Sequence, residues 1–415
     1  MKTNLLLQLC FTALLASPSS AAPDRPEPPS HKRQAIRPRA NPMPANLVPI
    51  PSQLGAPLSG LTPEQAADFR AGMAEFENVE SPDGGLGPVF NNVSCVTCHA
   101  DGATGGGGVV TVTRYGRLEK GVFNPLTEFG GTLLHQNTIN LGVREDIPPE
   151  ANLIAHRQST PLFGLGLIEA IPDADLQRAA AQPPRDGVKG RAALIQDVAT
   201  GQMRVGRFGW KAQQATLLGF AGDAYLNEMG VTSRLFPTET APNGDAAPLA
   251  IYDTVADPED QVDPETGKGD IDLAADFMRF LAPPPPGPQT PGSTAGRALF
   301  QQINCALCHT PVLNTGAHAV EALNRKPVPL YSDLLLHDMG TLGDGIAQSA
   351  AAPKEMRTAP LWGLRFSAPY LHDGRAATID EAIRAHDGQG QASRDRYLRL
   401  SPTQRQQLTD FLRSL

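Results

Sequence analysis

Two five-residue frames constrain this chain more than anything else in it: Cys95-Val-Thr-Cys98-His99 and Cys305-Ala-Leu-Cys308-His309. Two thiols three residues apart can add to the two vinyl groups of one porphyrin. The adjoining histidine then lies beneath the iron as its proximal ligand. A zinc site closed by four cysteines competes with this reading, but zinc signatures rarely put a histidine directly after both pairs. Disulfides compete as well if the chain is exported to an oxidising compartment. The same frame occurring twice in similar surroundings favours two covalently bound c-type haems, anchored by Cys95, Cys98, Cys305 and Cys308. His99 and His309 are then the proximal iron ligands.

The surroundings repeat in order. Gly72 and Phe76 precede the first frame with the spacing that Gly296 and Phe300 have before the second. Arg157-Gln-Ser-Thr-Pro-Leu-Phe-Gly-Leu165 is answered by Arg357-Thr-Ala-Pro-Leu-Trp-Gly-Leu364, one residue shorter. Asp276-Phe-Met-Arg-Phe-Leu281 is answered by Asp410-Phe-Leu-Arg-Ser-Leu415. Capping boxes open helices at Thr62-Pro63-Glu64-Gln65 and Ser401-Pro402-Thr403-Gln404. These signals predict a mainly α protein made of two cytochrome c-like helical domains with long loops. Residues 61–281 form the first, enlarged by insertions, and residues 294–415 the second. The Pro-rich stretch 282–293 reads as the linker between them, and residues 23–60 as a Pro-rich leader.

The first 22 residues have the pattern of an export signal. Lys2 is followed by an apolar stretch from Leu5 to Ala16, and small residues from Ser17 offer cleavage near Ala21 or Ala22. That stretch is too short to span a bilayer, and no later segment reads as a membrane span. The expectation is a periplasmic protein. A net charge of −8 and the absence of a basic stretch exclude a nucleic-acid partner. The glycine run Gly105–Gly108 lacks the Lys-Ser/Thr of a phosphate loop and reads as a mobile stretch. The acidic run from Asp257 to Asp270 fits no calcium-loop template.

Four longer stretches carry a family resemblance: Phe90-Asn-Asn-Val-Ser-Cys95, Gly209-Trp210-Lys211-Ala212, the run from Ser332 through His337-Asp338-Met339 to Gly340, and Tyr370-Leu-His372-Asp-Gly-Arg375. Over about Leu61 to Leu415 the chain resembles the di-haem oxidoreductases, whose members are also labelled thiol oxidoreductases and are similar to the bacterial dihaem cytochrome c peroxidases. In those peroxidases the distal ligand of the C-terminal haem comes from a helix shortly after the Tyr-x-His-Asp-Gly motif and is normally a methionine. Here the helix Ile379–His386 ends in histidine, so the resemblance implies His386 as that ligand, with Met339 or His337 as substitutes. His/His ligation gives a lower potential than His/Met. The resemblance further implies Trp210 as a bridge between the haems and Glu228, followed by Met229, as a distal acid at the N-terminal haem. His135 and His156 are the candidate ligands there if that iron is closed.

Arg157 and Arg357 are candidates to pair with haem propionates, because guanidinium matches carboxylate geometry. The resemblance also admits a calcium ion between the domains, with Ser367-Ala-Pro369 in the matching loop. The function it implies is peroxidase-like. Electrons from a small redox protein enter at the C-terminal haem, and peroxide or a related small oxidant is reduced at the N-terminal haem. A pure electron-transfer cytochrome and a dihaem oxygenase are the alternatives.

Overall fold

The computed structural model describes residues 54–415. The signal expected over residues 1–22 and most of the leader lie outside the described residues. Among the described residues no helix is long and apolar enough to cross a membrane.

Two crossed helix pairs organise the fold. Pro63–Phe76 packs on Asp270–Phe280, and Pro291–Gln302 packs on Pro402–Arg413. Each begins where local chemistry satisfies its first free amides. Thr62 and Gln65 cap each other reciprocally, as do Ser401 and Gln404. Thr290 and Ser293 do the same one position before Pro291. The third helix therefore starts inside the stretch read as a linker.

At each crossing a glycine lets the backbones touch. A Cβ on Gly72 would lie 2.2 Å from the Leu273 carbonyl oxygen, and one on Gly296 would lie 2.0 Å from that of Gln407. One turn on, Phe76 meets Phe277 at 4.8 Å between ring centroids, and Phe300 meets Phe411 at 5.3 Å. The same phenylalanines reach the frame histidines: Phe76 to His99 at 6.1 Å and Phe300 to His309 at 6.4 Å. The two Arg-to-Leu loops also land alike. Gly164 and Gly363 both have positive φ, and their amides donate to the carbonyls of Leu281 and Leu415, where the closing helices end.

The expectation of a mainly α fold holds only in part, since strands make up a sizeable share of the regular structure. Between the first frame and Gly206 most of the regular structure is antiparallel β. Thr111–Glu119 pairs with Val122–Asn124, Leu133–Leu134 and Leu153–Gln158 in a four-stranded sheet. The cause is local: the first of these strands alternates, burying Thr113 and Tyr115, and it is rich in β-branched and aromatic residues. Short ladders such as Ala193–Gln196 with Met203–Gly206 and Leu336–Asp338 with Glu355–Arg357 add to the strand content.

One large core runs from Leu54 to Leu281 and also takes in Leu323, Val328, Leu330, Leu334 and Leu335 from beyond the second frame. A smaller core gathers Phe300, Tyr331, Ile379, Tyr397, Phe411 and Leu415. Gly296→Ala should therefore lower stability by about 1–3 kcal/mol, because a rigid carbonyl occupies the space the methyl needs. Denaturant unfolding of the variant checks this, and an unchanged midpoint contradicts the packing described.

Candidate functional site

Each frame is a short turn that presents its histidine ring with one nitrogen already used. His99 Nδ1 lies 3.1 Å from the Gly106 carbonyl oxygen, and His309 Nδ1 lies 3.1 Å from that of Tyr331. A carbonyl only accepts, so Nδ1 carries the proton and the Nε2 lone pair is free, as a metal-binding imidazole requires. Burial pulls both histidines down to about 4, which keeps them neutral. The four thiols are unpaired, and among the described residues they do not gather into one tetrahedral set. Burial pushes the Cys305 thiol up to about 12. Burial and then the Glu228 charge do the same to Cys98. The glycine run is not the mobile stretch its sequence suggests. It packs on the first frame, leaving no room for a Cβ at Gly106 against the Asp101 carbonyl oxygen, 2.0 Å away.

A cavity of about 280 Å³ opens at the second frame, lined by Cys305, Cys308, His309 and His386 among largely apolar neighbours. His386 lies just beyond its helix, which ends at Arg384 rather than at the histidine. Its Nδ1 donates to the Ala382 carbonyl at 2.8 Å, again leaving Nε2 free. The His309 and His386 rings stand 6.4 Å apart. Two imidazoles bonded through Nε2 to opposite sides of one metal at about 2.0 Å each have centroids roughly 6 Å apart. The pair therefore fits an iron between them.

His337, the substitute ligand, has both nitrogens engaged. Nε2 lies 3.0 Å from Asp333 Oδ2 and Nδ1 2.9 Å from Gln389 Oε1. Burial works against its charge, yet the Asp333 carboxylate holds its imidazolium well above the usual histidine range. Met339 lines the cavity without such a restraint. Arg357 lines it too, with Nε donating to Gly209 O at 2.7 Å, and burial pulls it down to about 10.

Trp210 stands on the cavity wall that joins the two frames. Its indole N–H donates to Gln158 O at 2.9 Å, and its ring meets His372 edge-on at 6.2 Å. The same wall continues through Ser159 to Gly108, and Ser159 Oγ donates to Cys98 O at 2.6 Å. The next residue, Lys211, explains the rest of that motif. Its fully buried ammonium bonds Asp344 Oδ1 at 2.9 Å and the carbonyls of Pro353 and Glu355, so the Trp210 loop is pinned from behind. Arg157 holds the other oxygen of Asp344 at 2.6 Å.

The first frame faces different chemistry. Glu228 sits half-buried in a π-helical turn, Tyr225–Met229, the kind of helix irregularity frequent at functional sites. Its Oε2 accepts from Asn91 Nδ2 at 2.9 Å, and its carbonyl accepts the Asn91 and Asn92 amides. Asn92 Nδ2 in turn reaches Cys98 Sγ at 3.6 Å. Met229 is core. The strand register puts Arg114, Arg157 and His135 on one face of the sheet. Each keeps a buried nitrogen without a partner: Arg114 Nε, Arg157 Nη2 and His135 Nε2. His135 Nδ1 is fixed by Glu145 at 2.9 Å. His156 turns to the other face, toward Thr113 Oγ1.

Sequence reading missed Asn91, Arg114 and Asp223. Asp223 is pushed up to about 6 by burial, against the pull of Arg114 and with a further push from Glu228. Its position one helical turn before Glu228 was the available signal; Arg114, alone on an inserted strand, offered none.

Residues 142–415, more than half of the chain, match the family described as "Di-haem oxidoreductase, putative peroxidase". The chain belongs to the di-haem oxidoreductase family. A di-haem oxidoreductase holds two haems. Only the second frame lies inside the matched stretch. No curated protein matches the chain.

Solved structures similar to it include hydrazine synthase from Kuenenia stuttgartiensis, at 15% identity over 92% of this chain and 100% of that one, TM-score 0.39. A MauG-like protein associated with microbial copper homeostasis is 17% identical over 61% and 89%, TM-score 0.32. A variant of the diheme peroxidase BthA from Burkholderia thailandensis is 15% identical over 78% and 71%, TM-score 0.33. Likenesses this weak add nothing about chemistry.

The raised Asp223 carboxyl predicts a pH effect of definite sign. Its folded value of about 6 lies above the unfolded value of about 3.9. The native state thus holds an extra proton in that window, and stability from this group is lost as pH rises through about 6. Asp223→Asn should lose less stability than the parent between pH 4 and 7, by on the order of 2 kcal/mol. Denaturant unfolding at the two pH values measures it, and parallel losses contradict the assignment.

Proposed function

We propose that this di-haem oxidoreductase is an exported, peroxidase-like enzyme. It takes electrons from a small redox protein at the C-terminal haem site and reduces peroxide or a related small oxidant at the N-terminal site. The observation that carries this reading is the asymmetry of the two frames: His309 faces a second imidazole, whereas the first frame is neighboured by the Glu228 carboxyl. Cys95, Cys98, Cys305 and Cys308 would hold the haems as thioethers, with His99 and His309 beneath them and His386 as the second ligand at the C-terminal site. The bound haems supply electron storage and an iron able to bind oxidant.

The chain's own residues do the rest. Glu228, oriented by Asn91, is placed to relay a proton to a bound oxidant, and Asp223, which feels its charge and is balanced near pH 6, can supply one. The unpartnered nitrogens of Arg114 and Arg157 suit haem carboxylates at the N-terminal site, and Arg357 serves the C-terminal cavity. Trp210, fixed by Gln158 and by the Lys211 anchor, gives the aromatic step between the sites. The two helix pairs support a division into haem domains at 61–281 and 294–415, although the second pair begins at Pro291, ahead of that boundary. The periplasmic address rests on the N-terminal signal.

Positioned proton transfer is worth about 10²–10⁴ in rate. Glu228→Gln should lower peroxide turnover by about that factor with haem content and both Soret bands unchanged; undiminished turnover removes Glu228 from the reaction. His386→Met should raise one midpoint potential and leave the other alone, read by potentiometric titration. Two unchanged potentials transfer the ligand role to Met339.

A second reading, a pure electron relay, draws on His135. Its Nε2 is buried and unpartnered while Glu145 fixes Nδ1, an arrangement suited to a metal ligand. Carbon monoxide binding to the reduced protein separates the two: an open site binds it and a closed one does not.

A further inference from the structure

Behind the Glu228 turn, the chain from Val231 to Asp260 folds back on itself and brings three carboxylates together. One oxygen each from Glu239, Asp257 and Glu259 lies within 4.8 Å of the others. Oxygens bound to one ion at 2.3–2.6 Å can stand no more than about 5 Å apart. Acid clusters on protein surfaces are common, and this one would mean little without Glu239. That side chain is only 7% exposed, Oε1 takes the Thr240 amide at 2.7 Å, and Oε2 is buried with no partner.

The other two acids converge on a single hydroxyl. Thr232 Oγ1 contacts Asp257 Oδ1 at 2.7 Å and also Glu259 Oε2, while the Thr232 amide donates to the same Glu259 oxygen at 2.7 Å. One hydroxyl proton cannot satisfy both carboxylates. Among the described residues no lysine, arginine or histidine forms an ion pair with any of the three. Burial and the mutual repulsion of these acids push Glu239 up to about 8.

We propose that Glu239, Asp257 and Glu259 form a site for a hard divalent cation of the Ca2+ class, which ties the segment after Glu228 to the loop that returns to the core. The donor set is all oxygen, the preference of Ca2+ rather than of softer metals. Exposed Asp257 gives the ion a route in, and buried Glu239 gives the site its floor. Thr232 is four residues from Glu228, and Asp260 N donates to Thr232 O, so the ion would brace the turn that carries Glu228 from behind. This site is distinct from the Ser367-Ala-Pro369 loop, where the Pro369 carbonyl already accepts from Gln158 Nε2.

The test uses the full, haem-loaded chain stripped with chelator and returned to CaCl2. Equilibrium dialysis with elemental analysis should find a bound Ca2+ that is lost in the variants. At a hundredfold excess over Kd the melting temperature should rise by roughly 3–4 °C. Glu239→Gln and Asp257→Asn should each weaken Ca2+ binding at least tenfold. In cation-free buffer Glu239→Gln should melt no lower than the parent, since an amide donor can meet the two neighbouring carboxylates. A purely structural role for Glu239 gives the opposite result, a lower melting point with or without Ca2+. If the buried variant fails to fold, exposed Asp257→Asn carries the test. No Ca2+-dependent rise in the parent, or Ca2+ retained equally by the parent and Asp257→Asn, overturns the proposal.

Discussion

The rest of the molecule depends on a backbone-to-backbone contact made twice. At Gly72 and again at Gly296 the first helix of a pair comes so close to the closing helix that a methyl group would collide with a carbonyl. That approach sets the phenylalanine one turn later against its partner ring and against the edge of the frame histidine. The histidine is thus located by aromatic packing on one side and by a carbonyl at Nδ1 on the other. Its position is a property of the crossing more than of the frame itself. Each Arg-to-Leu loop then locks onto the end of the closing helix through the amide of a positive-φ glycine.

On this duplicated base the two halves have grown apart. The first carries an antiparallel sheet whose one face presents Arg114, Arg157 and His135 with buried nitrogens to spare. The second carries a short helix that delivers His386 opposite His309. Frames of one pattern therefore meet unlike surroundings: a carboxyl group and two guanidinium groups at one, a second imidazole, Arg357 and apolar walls at the other. In a low-dielectric interior such differences would decide the ligand affinity and the potential of an iron held at each frame.

The two environments are coupled by a buried ionic node. Lys211 and Arg157 share the Asp344 carboxylate, fully enclosed, with Lys211 also satisfied by carbonyls from the 353–355 stretch. Removing one partner of such a set typically costs about 3–5 kcal/mol, since the remaining charges lose their compensation. The node fixes the loop bearing Trp210 to the strand bearing Arg157, so the wall shared by both frames is held by charge as well as by packing.

The sequence alone determined what is local or repeated. The frames, the capping boxes at Thr62 and Ser401, and the glycine–phenylalanine spacings are legible because each is a short-range requirement of geometry or covalent chemistry. The approach of His386 to the second frame was legible from its place after the Tyr-x-His-Asp-Gly motif, although its helix stops two residues earlier than the pattern suggests. Only the tertiary structure decided the β insertion, the packed role of Gly105–Gly108, and the gathering of Asn91, Arg114, Asp223 and Glu228 around the first frame. These groups lie up to 137 residues apart, and what joins them is burial. Desolvation moves Asp223 to near pH 6, and burial leaves one nitrogen each of Arg114 and Arg157 without a partner. Burial is fixed by the whole packed chain and leaves no mark on the spacing of residues along it.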